Sequence, residues 1–267
     1  WVTIPTNASL TNKMVSFLEE ILPRFPDTYF RLTFSIEGVG DDHDNLRSMP
    51  GSYKKIQKSY KIISPLRAKY PNLVLDCNSV FTTSSEIYLL DALKTINKDF
   101  GFDNMSVTYA RGVIKDDSLK NVSKNRYKEI NKFLEEREKN KEKRLLYPLW
   151  RGVNSVSREN LMRTVFDDEF VTSCVAGRKL LVVSETGEVQ PCEILGKSIG
   201  NLRNHDWDLK KLLKENSVNK MQKWIKETKC KCSFECALAA NVVWKPKNYP
   251  KVISSAIKNI GKSHLNH

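Results

Sequence analysis

The sequence predicts an α/β protein: a partial (β/α) barrel over the first part of the chain, then a cysteine-rich domain built from a β-hairpin and helices. Three observations carry this. Apolar, β-favouring strings alternate with helical periodicity over the first 110 or so residues, as in parallel βα architectures. One of those strings has a wholly apolar and a wholly polar face. Five of the six cysteines, Cys174, Cys192, Cys230, Cys232 and Cys236, fall in the last hundred residues.

The first string, Trp1 to Pro5, reads as a strand entered partway through a fold, so the sequence is expected to be a fragment. A helix with Met14, Val15, Leu18, Ile21 and Leu22 on one face follows and is expected to end at Pro23. The second strand, Tyr29 to Ile36, puts Phe30, Leu32, Phe34 and Ile36 on one side and Arg31, Thr33, Ser35 and Glu37 on the other. In a helix-wrapped barrel the apolar side packs outward against helices and the polar side lines the interior. A turn-rich stretch, Gly38 to Gly51, leads to a helix from Ser52 carrying Tyr53, Ile56, Tyr60 and Ile63. Leu73 to Phe81 is the third strand. The helix after Ser85 is expected to bury Ile87, Leu90, Leu93 and Ile96, and Met105 to Ala110 is the fourth strand.

Helical periodicity resumes at Ser123 and lasts through Leu134, but Glu135 to Arg144 holds no apolar residue and reads as a solvated helix end or linker. The expected domains are therefore 1–115, a helical connection over 116–165, and 166–267. In the last, Leu180 to Val183 and Glu188 to Gln190 flank Ser184-Glu185-Thr186-Gly187 as a hairpin. Two helices follow, one capped by Asp206 and one carrying Val218, Met221, Trp224 and Ile225.

Composition is that of a globular protein, 40% hydrophobic and 28% charged. No run of eighteen apolar residues and no basic-then-apolar leader occurs, so no membrane association and a cytoplasmic location are expected. The net charge of +13 would attract acidic partners, nucleic acid among them, but the excess lies in Lys-rich helical stretches rather than beside RNA-binding aromatic motifs. Gly-x-Ser-x-Gly, P-loop and His-Glu-x2-His motifs do not occur, which removes the usual support for hydrolase, nucleoside-triphosphatase and zincin chemistry. Cys77 reads as a small core residue of its strand.

The clustered cysteines call for metal rather than disulfides in an intracellular chain. Four converging thiolates suit either zinc or an iron–sulfur cluster. Zinc ribbons and knuckles favour Cys-x2-Cys pairs. This chain has instead Cys174-x12-Gly187-x4-Cys192 around the hairpin, and then Cys230-x-Cys232-x3-Cys236.

That pattern resembles the auxiliary-cluster domain of radical S-adenosylmethionine (SAM) enzymes, called SPASM in its longer form and twitch in its shorter one. Five cysteines match the shorter form, with one [4Fe-4S] cluster. The resemblance implies Cys174 and Cys192 as ligands, completed by two of Cys230, Cys232 and Cys236, with Cys236 and one of the other two preferred. Earlier in the chain, Ile4-Pro5-Thr6-Asn7-Ala8 resembles the end of the third barrel strand of that family, with Ala8 where a glycine is common. Ser35-Ile36-Glu37-Gly38, with His43-Asp44, Arg47 and Gly51-Ser52-Tyr53, resembles its fourth-strand region, with Glu37 in place of Asp. By that likeness Ser35, Glu37 and Arg47 are SAM-site candidates, and Thr6 and Asn7 weaker ones. Arg47 is suited to a carboxylate because a guanidinium donates two parallel hydrogen bonds. Tyr109 and Arg111, at the end of the fourth strand, are weak candidates to face substrate.

The Cys-x3-Cys-x2-Cys loop that holds the family's SAM-cleaving cluster does not occur in these residues and is expected upstream of Trp1. The resemblance implies a complete enzyme that uses SAM, a second [4Fe-4S] cluster and an electron donor to modify a peptide or small polar metabolite through a 5′-deoxyadenosyl radical. Two other readings stand beside it. One is a basic, zinc-bearing nucleic-acid-binding protein; the other is a non-catalytic scaffold that has lost the SAM cluster.

Overall fold

The computed structural model describes residues 1–139 and 147–261. The chain forms two compact units, Trp1–Ala110 with Ser118–Leu134, and Arg111–Asp117 with Glu135 onward. The solvated stretch expected over Glu135 to Arg144 falls partly outside the described residues; its first part, to Lys139, is helical.

The first unit is built on an open, all-parallel sheet with strands β1 (Val2–Thr6), β2 (Phe30–Ser35), β3 (Leu73–Phe81) and β4 (Asn104–Tyr109) in that order. Between them run helices α1 (Thr11–Arg24), α2 (Asp41–Leu46), α3 (Ser52–Ile63), α4 (Leu66–Lys69) and α5 (Leu89–Asp99), and α6 (Lys124–Lys139) follows. The expected alternation is thus present as one parallel sheet, which does not close on itself among the described residues. The apolar side of β2 packs against helices: Phe30, Leu32, Phe34 and Ile36 are buried, and Phe34 meets Tyr60 of α3 edge-on with ring centroids 6.1 Å apart. Tyr53, Ile56, Tyr60 and Ile63 are all buried, at the i, i+3, i+7, i+10 spacing that places them on one helix face.

Two local expectations shift. Pro23 lies within α1, which runs one residue further to Arg24; a proline in the last turn blocks continuation more than it excludes itself. Ile87 precedes α5 and is 84% exposed; the buried stripe is Leu89, Ala92, Leu93 and Ile96. Ser85, whose Oγ donates to the Val80 and Thr82 carbonyls, holds the chain in a turn for several residues before the helix can begin.

At the edge of the sheet, Val2 donates its N–H to the Tyr29 carbonyl at 2.9 Å. Donors facing one neighbour recur every second residue, so Ile4 and Thr6 also face β2, and Thr3 and Pro5 face the open side.

The second unit contains α7 (Tyr147–Phe166), the antiparallel strands β5 (Val182–Val183), β6 (Glu188–Gln190) and β7 (Gly200–Asn201), and helices α8 (Leu209–Leu212), α9 (Asn216–Glu227), α10 (Glu235–Val243) and α11 (Tyr249–Gly261). The hairpin turns at Gly187, whose φ of 84° is the left-handed conformation glycine adopts without cost. The third strand, β7, was not apparent in the sequence because two residues carry no periodicity. Val189, Ile199, Leu202, Leu212 and Val218 form the core beneath it. The expected cap Asp206 is corrected to Asp208, whose carboxylate accepts from the N–H groups of Lys210 and Lys211 at the start of α8. Asp206 instead closes the preceding 3-10 turn with φ 53°. Helices α7 and α11 approach closely at Gly152, where a Cβ would stand 2.5 Å from the Val252 carbonyl oxygen. No described helix is long and apolar enough to cross a membrane.

Candidate functional site

The side of the sheet opposite the helices of the first unit is polar. Cross-strand register aligns Thr33 with Asp76 and Ser35 with Asn78, then Asp76 with Asn104 and Asn78 with Ser106. Arg31 pairs with Asp76 at 2.8 Å, Asn104 donates to Asp76 at 2.9 Å, and Asn78 Oδ1 accepts from Ser106 and Thr108, both at 2.8 Å. Burial pushes the Asp76 carboxyl up, with Arg31 and Asn104 opposing. The Thr33 hydroxyl, on the same side, is buried without a hydrogen-bond partner, an arrangement that costs free energy unless something supplies one. Of this layer the sequence reading named only the β2 residues. The alternation Asp76, Asn78 in β3 and Asn104, Ser106, Thr108 in β4 is the signal that would have found the rest.

Glu37 and Arg47 lie together just past the carboxyl end of β2, where parallel sheets place their ligand sites. Glu37 is 4% exposed; one oxygen accepts from Arg47 Nη2 at 2.7 Å and the other from the Val80 N–H at 2.6 Å. Burial raises its pKa, opposed by the Val80 amide and by Arg47. The Glu37 N–H donates to His43 Nδ1 at 3.0 Å, which fixes that tautomer. Asp44 accepts from Gly51 N at 2.5 Å, Ser52 Oγ at 2.7 Å and Tyr53 N at 2.8 Å, and so caps α3 from a distance. Gly38 has no room for a side chain: a Cβ would stand 2.9 Å from that of Asp42. Ser35 is half-buried at the end of β2.

Thr6 and Asn7 stand apart from that pair. Thr6 Oγ1 donates to Met14 Sδ at 3.0 Å and accepts from Ala8 N, so it faces α1 rather than the polar layer. Asn7 Oδ1 accepts from Ser9 N and Oγ in a local turn. Both border an apolar cavity of about 330 Å³ with Ile4, Leu10, Met14 and Phe17. Ala8 has φ 57°, a conformation that explains why a glycine suits this place. The Tyr109 hydroxyl donates to the Lys120 carbonyl. Arg111 belongs to the second unit and pairs with two carboxylates there, Glu193 at 2.7 Å and Glu235 at 3.0 Å.

In the second unit all five cysteines carry free thiols. Four of them share one neighbourhood. Cys192 lies in the core with Ala176, Ile225, Phe234 and Ala237, and Cys174, Cys230 and Cys232 pack against that core. The Cys174 thiol is pushed up by burial and by Cys192, that of Cys230 by burial, Cys174 and Cys192, and that of Cys232 to about 11 by burial and then the other three. Cys174, Cys230 and Cys232 also border a small cavity, with Asn241. Cys174 Sγ accepts from Ala176 N at 3.4 Å, and Asn241 Oδ1 holds the Val175 N–H at 2.8 Å. Cys236 is exposed as a residue although its thiol is partly desolvated, which pushes it up together with Glu235 and Glu193 while Arg111 draws it down, and it is not among the residues packed on the core that holds Cys192. A single zinc ion needs its sulfurs about 2.3 Å from one point. Among the described residues no group of three or more His, Cys, Asp or Glu is arranged so as to hold a metal ion.

No protein-family model matches the chain, and no curated protein matches it. Its fold is similar to solved structures of a radical SAM enzyme. Native anSMEcpe, an anaerobic sulfatase-maturating enzyme, with bound AdoMet and the Cp18Cys peptide superposes with a TM-score of 0.52 at 17% identity, over 99% of this chain and 76% of that one. Native anSMEcpe with bound AdoMet gives 0.51 at 17% identity, over 99% and 75%. The chain thus has an α/β fold of the kind found in radical SAM enzymes.

Proposed function

We propose that this chain supplies the SAM-contacting sheet and an auxiliary [4Fe-4S] domain of a radical SAM enzyme that modifies a peptide. The observation that carries the reading is the convergence of Cys174, Cys192, Cys230 and Cys232 on one core, on a chain whose fold is similar to that of an enzyme with bound AdoMet and peptide. The donor set fits a multi-iron cluster: four thiols, each able to serve one corner, of which those of Cys174, Cys230 and Cys232 are pushed up chiefly by burial, a cost that a bound cation would offset. The family likeness favours Cys236 as a ligand; the packing of Cys230 and Cys232, but not Cys236, against the core that holds Cys192 favours those two together, with Cys236 left out.

In the first unit, Glu37 holds Arg47 at the strand end through one guanidinium nitrogen, and the rest of that fork faces the carboxylate of SAM. Ser35 lies beside it. The polar layer from Arg31 to Thr108 suits a peptide, whose amide groups would find donors and acceptors there and a partner for the Thr33 hydroxyl. SAM, when cleaved at its own cluster, supplies a 5′-deoxyadenosyl radical. None of these residues forms the Cys-x3-Cys-x2-Cys set that would hold that cluster, so no step through it is assigned to them.

Anaerobic reconstitution with iron and sulfide tests the proposal. The expected product is brown, with four irons per chain and an absorption band at roughly 400 nm, where such clusters absorb. Serine at Cys174, Cys192, Cys230 or Cys232 should abolish or halve iron uptake, and serine at Cys236 should leave it intact. A colourless protein, or one that loses its iron only with Cys236→Ser, would overturn the cluster or the ligand set respectively.

A further inference from the structure

Arg111 was a substrate candidate by its place at a strand end, but its side chain is spent on another task. Nε and Nη2 engage Glu193 Oε1 at 2.8 and 2.7 Å, Nη1 engages Glu235 Oε2 at 3.0 Å, and the guanidinium lies 4.7 Å from the Phe234 ring centroid. Glu193 directly follows Cys192; Phe234 and Glu235 fall between Cys232 and Cys236. The two carboxylates are thus on the two segments, far apart in sequence, that must be brought together if their sulfurs are to share one centre.

We infer that Arg111 is a positioning residue that clamps the Cys192 turn to the segment between Cys232 and the start of α10. The inference rests on the auxiliary-cluster reading for its purpose, but the clamp exists in the protein without any cluster. The chemistry is specific to arginine. A planar fork presents donors along two edges and can hold two carboxylates while its face lies on an aromatic ring; an ammonium cannot do all three. The guanidinium is 24% exposed on its side chain, so its ion pairs are less screened than surface ones. Phe234 is buried in the core that contains Cys192, so the stacking places the clamp against the group of thiols.

The test reads the clamp and the cluster separately. In the cluster-free protein, alkylation of each thiol by a maleimide is followed by peptide mass spectrometry, with the buried Cys77 of the other unit as internal reference. Cys192, 5% exposed in the wild type, should react about tenfold faster in Arg111→Ala while Cys77 is unchanged, in line with loss of about 1.4 kcal/mol of local closure. Arg111→Lys should recover only part of the protection. After reconstitution, the same variants should lose iron to a chelator faster than the wild type, in the same order. Should Arg111→Ala fail to fold by circular dichroism, Glu193→Gln and Glu235→Gln each remove one arm and should each accelerate Cys192 labelling. An unchanged Cys192 rate in folded Arg111→Ala, or in both glutamine variants, overturns the clamp. Wild-type protein that takes up no iron overturns the cluster reading and the clamp's purpose, while the labelling rates still decide whether the clamp exists.

Discussion

Arg47→Ala provides a quantitative probe of the strand-end site. The substitution leaves the Glu37 carboxylate buried with only the Val80 N–H at 2.6 Å as partner. Breaking a fully buried pair costs about 3–5 kcal/mol, and an exposed pair is worth about 0–1 kcal/mol. The two side chains are 5% and 38% exposed, one in each regime, so the screened value falls between, at about 2 kcal/mol. The pH dependence gives a signature. The Glu37 pKa is already raised by burial, and removing Arg47 takes away an opposing influence and raises it further. For a raised carboxyl the folded state binds the proton more tightly than the unfolded one. Stability is then fully present below the ordinary value of about 4.3 and is lost as pH rises through the folded-state pKa. The deficit of Arg47→Ala against wild type, measured by urea denaturation, should be greatest at neutral pH and shrink toward pH 4. Adding Glu37→Gln should remove that pH dependence. A deficit below about 0.5 kcal/mol at neutral pH, or one that is constant across this range, would refute the pairing and the protonation argument.

Three further outcomes follow from packing and capping. Gly152→Ala should destabilise the second unit by about 1–3 kcal/mol, because the clash of a new methyl with the Val252 carbonyl outweighs the gain of about 1 kcal/mol in helix propensity; a more stable variant in denaturant titration would show that α7 and α11 do not approach so closely. Ile56→Ala should cost about 2–5 kcal/mol by loss of a fully buried side chain of α3, measured the same way. Asp44 has a lowered pKa from its bonds to Tyr53, Ser52 and Gly51, so its contribution is present above the ordinary carboxylate range and lost as pH falls through the depressed value. Asp44→Asn should therefore flatten the acid limb of the stability profile, and an unaltered limb would rule out this cap.

The strand alternation was legible because both periods were clean: Leu73–Phe81 was bounded from sequence alone, and the α3 stripe needed only its spacing. Short elements were not. Two-residue strands such as β7 have no period to read, and the choice between Asp206 and Asp208 as a cap depends on which one has extended φ and ψ. The same limit applies to function. Spacing marks the cysteines and a strand end marks Arg111, but whether a guanidinium faces a ligand or two carboxylates is decided by contacts between residues 82 and 124 positions apart. The polar layer of β3 and β4 is present in the sequence only as ordinary residues, whose alignment appears with register.

Pro5 has a bearing on how the isolated chain behaves in solution. An outermost strand normally offers a row of amide hydrogens on which a second molecule can template itself. Here the outward positions of β1 are Thr3 and Pro5, and the imino nitrogen has no hydrogen to give. A stranger laid along that border would find an amide hydrogen at Thr3 and none at the next station, which weakens the seed from which fibrous stacking would spread.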